Sequence, residues 1–95
     1  MDITIRNAEG HLSQGDIRYA SRKLEKLSRY FSKANRVELM HKDSKLGHRV
    51  EVTVFADGHI IRGEESHSSL RAAIDLVNDK LSMRVKRLKE RLSDH

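Results

Sequence analysis

From Leu70 to Leu92 the residues Leu70, Ile74, Val77, Leu81, Val85, Leu88 and Leu92 recur at intervals of 4, 3, 4, 4, 3 and 4. That rhythm keeps all of them on one side of a long α-helix. An apolar stripe of this length does not stay in water, and a helix by itself has nothing to cover it. The residues that precede it must therefore supply a second apolar layer.

They do so with strand patterns. Ile3 and Ile5 alternate with polar residues over 2–6, and Val37 and Leu39 mark a second strand over 36–43. Val50, Val52 and Val54 alternate with Glu51 and Thr53 in a third strand over 48–56. Asp57-Gly58 is a two-residue hairpin signal, because both turn positions favour positive φ. That turn sets Ala56 opposite His59 and Val54 opposite Ile61, so Ile61 joins the buried valines, and the fourth strand runs to about Glu65. Between the first two strands, Ile17, Ala20, Leu24, Leu27 and Phe31 recur at steps of three and four. Ser13 with Asp16 three residues on caps this first helix, whose end is expected near Ala34–Asn35. Ser66, Ser68 and Ser69 offer caps for the second. The order β-α-β-β-β-α predicts an α+β, two-layer domain: a four-stranded mixed sheet with both helices on one face. The first crossover is parallel and the later strands form an antiparallel meander.

Residues 1–95 form a single domain, near the small end of chains that fold unaided. There is no Cys to staple it and no Pro to mark a linker. No apolar run approaches the roughly 20 residues of a membrane span, and the start, MDITIRNAEG, lacks signal-peptide shape. A soluble, cytoplasmic protein without a membrane partner is expected.

Catalytic chemistry is not indicated. His11, His41, His48, His59, His67 and His95 show no HxxxH, no carboxylate cluster and no Cys companions, so no metal site is expected. His41 and His48 flank one hairpin and read as surface residues. The serines before the last helix are explained as caps rather than nucleophiles, and Asp75 and Asp79 have no mark of an acid/base pair. Gly58 and Gly63 belong to the hairpin, not to a phosphate loop. The expectation is a non-enzyme with no catalytic residues, no cofactor and no small-molecule substrate.

Charge is the feature left over. Residues 16–36 and 80–91 hold 13 of the 19 Lys and Arg but only three of the 14 acids, a balance of +10 against −5 elsewhere. Such polarisation attracts polyanions far more than the net +5 suggests. Lys80, Arg84, Arg87 and Arg91 fall at i, i+4, i+7 and i+11, within about 60° of one another on the helix. Lys86 and Lys89 widen that ridge, and Glu90 is the lone acid in the run. On the first helix Arg18, Arg22, Arg29 and Lys33 form a row flanked by Lys23 and Lys26. A single basic helix face is ordinarily solvated surface; two of them on one small domain point to a nucleic acid held between them. With Tyr19, Tyr30, Phe31 and Phe55 the only aromatics, base stacking gives way to phosphate and shape contacts.

Several stretches carry a family resemblance: Lys23-Leu24-Glu25-Lys26-Leu27 with Tyr30-Phe31, the hairpin at Asp57-Gly58, and Ala72-Ala73-Ile74-Asp75 followed by Asp79-Lys80-Leu81. In this order over essentially the whole chain they resemble the ribosome hibernation promoting factors, also called ribosome-associated inhibitors or sigma-54 modulation proteins. The resemblance implies binding to the small ribosomal subunit and its 16S rRNA, in the channel of mRNA and the tRNA anticodon ends. It further implies translation inhibition under stress or in stationary phase, in 70S ribosomes or their 100S pairs, by steric occlusion. Lys23, Lys26, Lys80 and Arg87 match the family's basic positions; Arg29, Lys33, Arg84 and Arg91 come from the charge pattern. Ser69-Leu70-Arg71 replaces the family's common Asp-Met-Tyr, and Met83 stands where Arg is common. The length suits the short form of the family or the N-terminal domain of a long form.

Two other readings remain. A double-stranded RNA-binding module shares the α-β-β-β-α order, although its last helix begins rich in Lys, and here residues 66–79 hold only Arg71. A protein–protein adaptor would use Phe55 and Ile60 on the open sheet face.

Overall fold

Strand alternation and helix stripes meet at one apolar layer. The structure, a computed structural model, describes residues 2–9, 12–29, 34–56 and 58–93. Its order is β1 (Asp2–Glu9), α1 (Gln14–Ser28), β2 (Ala34–Ser44), β3 (Gly47–Ala56), β4 (His59–His67) and α2 (Leu70–Ser93). The sheet runs β1-β2-β3-β4, with β1 parallel to β2 and the other pairs antiparallel. This is the expected mixed sheet. The hairpin register is also as expected: Val54 faces Ile61 and Ala56 faces His59. Gly58 takes a φ of 78° at the turn, a conformation open to Gly at little cost.

The inward row of each strand and the stripe of each helix form the core. Leu24, Leu27, Val37, Leu39, Val50, Val52, Val54, Ile74, Val77, Leu81 and Val85 are all essentially inaccessible, with Ile3, Ile5 and Ile61 packed at the margin. Each such side chain contributes roughly 1.5–3 kcal/mol on burial. α1 rests over β1 and β2, and α2 over β3 and β4. Gly63 sets the height of α2: a Cβ there would stand 3.2 Å from Leu81 Cδ2 and 3.4 Å from Val77 Cγ2.

Caps begin both helices. The Asp16 amide donates to Ser13 Oγ at 3.0 Å and the Ser13 amide to Asp16 Oδ2 at 3.4 Å, a reciprocal capping box. Ser69 Oγ accepts from the Ala72 amide at 3.3 Å.

Two expectations change. α1 ends at Ser28 rather than near Ala34–Asn35, and Ala34 already pairs with Ala56. Joining β2 to the ladder overrides the helical spacing; Phe31 lies outside the described residues. His41 is fully buried rather than at the surface, because it follows Val37 and Leu39 on the inward row. Burial first, and the neighbouring His48 second, lower its pKa below the ordinary 6.5, with Asp43 and Asp16 opposing.

Candidate nucleic-acid interface

Of the eight cations singled out from the sequence, three are engaged inside the molecule. Asp75 on α2 receives the Tyr19 hydroxyl at 2.6 Å and the Lys23 ammonium at 3.3 Å, both from α1. Arg71 lies over the Tyr19 ring at 4.9 Å and meets Asp16 at 3.5 Å. This latch ties the two helices together. The hydrogen bond to Asp75 raises the pKa of both Tyr19 and Lys23. Lys80 reaches Glu65 at 2.6 Å and the Glu64 carbonyl at 3.2 Å, and Arg84 donates to the Arg62 carbonyl. Lys80 and Arg84 thus bond backbone carbonyls of β4, the last strand of the sheet, whose polar groups need partners.

Four others behave differently. Lys26, Arg29, Arg87 and Arg91 are exposed, and among the described residues none has a carboxylate partner. Lys33 lies outside the described residues. Arg87 and Arg91, with Arg84, line an open cleft of about 480 Å³ whose other wall is His59, Ile60, Ile61 and Arg62 of β4. Lys26 and Lys86 line a second groove, between α1 and α2.

The expected clamp therefore takes another form. The arginine row of α2 turns toward β4, while α1 sits over β1 and β2 on the other side of α2. Among the described residues the arginine row lines the cleft on β4 while Lys26 and Lys86 line the groove between the helices, so the basic surface extends around α2. His59 and Arg62 border it although the charge pattern did not single them out, and Arg62 is itself paired with Glu51 on the open sheet face. Arg62 stands among Glu64 and Glu65 in sequence, so no run betrays it.

The open sheet face contrasts with this surface. Three of its guanidiniums pair with acids: Arg36 with Glu38 at 3.4 Å, Arg62 with Glu51 at 3.4 Å, and Arg49 with Glu64. Phe55 and Ile60 are direct cross-strand partners there, with Arg36 over the Phe55 ring at 4.3 Å.

Comparison with known proteins agrees with this architecture. The chain belongs to the family described as sigma 54 modulation protein / S30EA ribosomal protein, whose model matches residues 2–93. It is 36% identical over 84 residues to a ribosome hibernation promotion factor of Picosynechococcus, covering 77% of this chain and 41% of that protein. It is 30% identical over 95 residues to a ribosome hibernation promoting factor of Salmonella typhimurium, covering 100% of this chain and 98% of that one. The N-terminal domain of Protein Y from Thermus thermophilus superposes with a TM-score of 0.82 at 28% identity, covering 93% of this chain and 99% of that domain. A ribosomal subunit interface protein from Coxiella burnetii shares the fold, with a TM-score of 0.84 at 17% identity over 95% and 99% of the two chains.

Proposed function

We propose that this domain is a ribosome-binding hibernation factor of the cytoplasm that occupies the mRNA and tRNA channel of the small subunit. It works by steric occlusion, without chemistry, and holds 70S ribosomes or their 100S pairs inactive. One observation supports the reading beyond family membership: the carboxyl-terminal half of α2 presents Arg87 and Arg91 beside β4, and among the described residues neither arginine has a carboxylate partner.

Lys26, Arg29, Arg87 and Arg91, with Lys33, supply the phosphate contacts in this reading. Lys23, Lys80 and Arg84 border them while holding the scaffold. Guanidiniums suit the task because their planar fork matches phosphate oxygens. Among the described residues the helices offer no exposed aromatic platform, so rRNA is recognised by backbone and shape. No helix among the described residues is long and apolar enough to cross a membrane.

Sedimentation with 30S and 70S particles tests the reading. The protein should pellet with them at low salt, leave as salt rises, and inhibit translation in vitro. With about six phosphates engaged, log K against log salt should slope near −4 to −5. A flat salt response, or tighter binding to bare duplex RNA than to ribosomes, would overturn it.

A further inference from the structure

On the inward side of the sheet, beyond the last apolar row, the β2–β3 hairpin gathers three metal-ligating side chains. Asp43 and His48 are direct cross-strand partners, and His41 precedes Asp43 by two residues on the same face of β2. Their donor atoms form a small triangle: His41 Nε2 to His48 Nδ1 is 3.0 Å, His41 Nε2 to Asp43 Oδ1 is 3.8 Å, and His48 Nδ1 to Asp43 Oδ1 is 4.0 Å. The sequence did not reveal this cluster, because His41 and His48 meet only across the hairpin.

We propose that His41, Asp43 and His48 form a site for a divalent transition-metal ion of the zinc class. The geometry is close to what such an ion requires. A point equidistant from the three donors, the circumcentre of that triangle, lies about 2.1 Å from each. Zinc bonds to imidazole nitrogen and carboxylate oxygen at roughly 2.0–2.2 Å. Drawing in the two longer sides by about half an ångström brings the donors to tetrahedral spacing and leaves a fourth position for water. Asp43 has the freedom to do so, since its side chain is 59% exposed.

The ring of His41 is already set for the task. Its Nδ1 lies 2.9 Å from Asn7 Oδ1, and Asn7 is its neighbour across the parallel β1–β2 pair. With the ring proton donated to that amide oxygen, the lone pair of Nε2 faces His48 and Asp43. Metal-binding histidines are commonly oriented by such a bond. Two imidazoles and one carboxylate suit zinc, nickel, cobalt or copper better than calcium or magnesium. In a small domain without Cys, an ion here would staple the hairpin end to β1 through Asn7.

The inference stands apart from ribosome binding and is tested without it. The whole chain, stripped with chelator, is titrated with zinc chloride by calorimetry and with cobalt chloride by visible absorption. One equivalent should bind with micromolar or tighter affinity, give a tetrahedral cobalt spectrum and raise Tm. Asp43→Asn, isosteric and at an exposed position, and His48→Ala should each weaken binding at least tenfold; Asn7→Ala should weaken it by roughly tenfold. His59→Ala, at the opposite end of the sheet, should bind like the parent. Affinity unchanged in Asp43→Asn and His48→Ala, or no saturable binding below millimolar metal, would overturn the proposal.

Discussion

Lys80 and Arg91 lie on the same side of α2, about three turns apart, and meet opposite surroundings. Lys80 reaches a carboxylate and a backbone carbonyl of β4, and in that half of the helix Asp75 collects Tyr19 and Lys23 while Arg71 meets Asp16. Arg91, with Arg87, projects beside the β4 turn, where the facing residues are His59, Ile60, Ile61 and Arg62. One half of the helix uses charge to hold the fold together; in the other half Arg87 and Arg91 are left available. What separates them is the neighbouring strand: Glu64 and Glu65 lie beside Lys80, whereas among the described residues no acid lines the cleft that holds Arg87 and Arg91. A cation count along the helix averages over both situations, and the packing distinguishes them.

The comparison breaks most visibly at the free end. Arg87→Glu combined with Arg91→Glu should lower ribosome affinity on the order of 100-fold at low salt, because two phosphate contacts become repulsions. Far-UV circular dichroism and Tm should stay close to the parent. A loss below about threefold would mean that this end of α2 is only solvated surface.

At the latched end the same kind of change should act on folding. Asp75→Ala removes the acceptor of the Tyr19 hydroxyl and leaves Lys23 without its partner, and should cost about 1–2 kcal/mol in urea unfolding. Ribosome affinity, measured where the variant is still folded, should move by less than about threefold. Lys80→Ala should cost less, roughly 0.5–1 kcal/mol, since both partners remain partly open to water. If Lys80→Ala instead weakens ribosome binding as much as the Arg87 and Arg91 reversals, the division between the two halves fails.

The smallest effect is a pH dependence at Asp16. Burial raises its carboxyl pKa, but hydrogen bonds from Ser13 and the nearby Arg71 outweigh that and bring it below the ordinary 3.8. A depressed carboxylate adds stability above its unfolded pKa, and this is lost as pH falls through the folded value. The Tm gap between the parent and Asp16→Asn should therefore be constant near neutrality and close as pH falls below the ordinary 3.8 through the lowered folded value. A gap that persists at the acid end would show that Arg71 and Ser13 do not act through the carboxylate charge.

Local signals made most of the fold legible. Val50, Val52 and Val54 state a strand, Asp57-Gly58 fixes the register to Ile61, and the stripe from Leu70 declares the last helix. Ser13 and Asp16 announce the cap that the structure contains. The end of α1 was not legible, because Ala34 is drawn into the ladder opposite Ala56 by a strand more than twenty residues away. The candidate site was half legible. The residues of the arginine row could be named from their spacing, but not which of them find a partner.

The sequence by itself determined the two-layer architecture, the strand register of the β3–β4 hairpin and the basic bias of both helices, because these follow from periodicity and composition along short stretches. Tertiary structure alone decided that Lys23, Lys80 and Arg84 hold the scaffold while Arg87 and Arg91 face outward, and that His41, Asp43 and His48 converge. Those outcomes depend on which side chains the packed sheet and helices bring within a few ångströms, and such distances between elements have no period that a sequence can display.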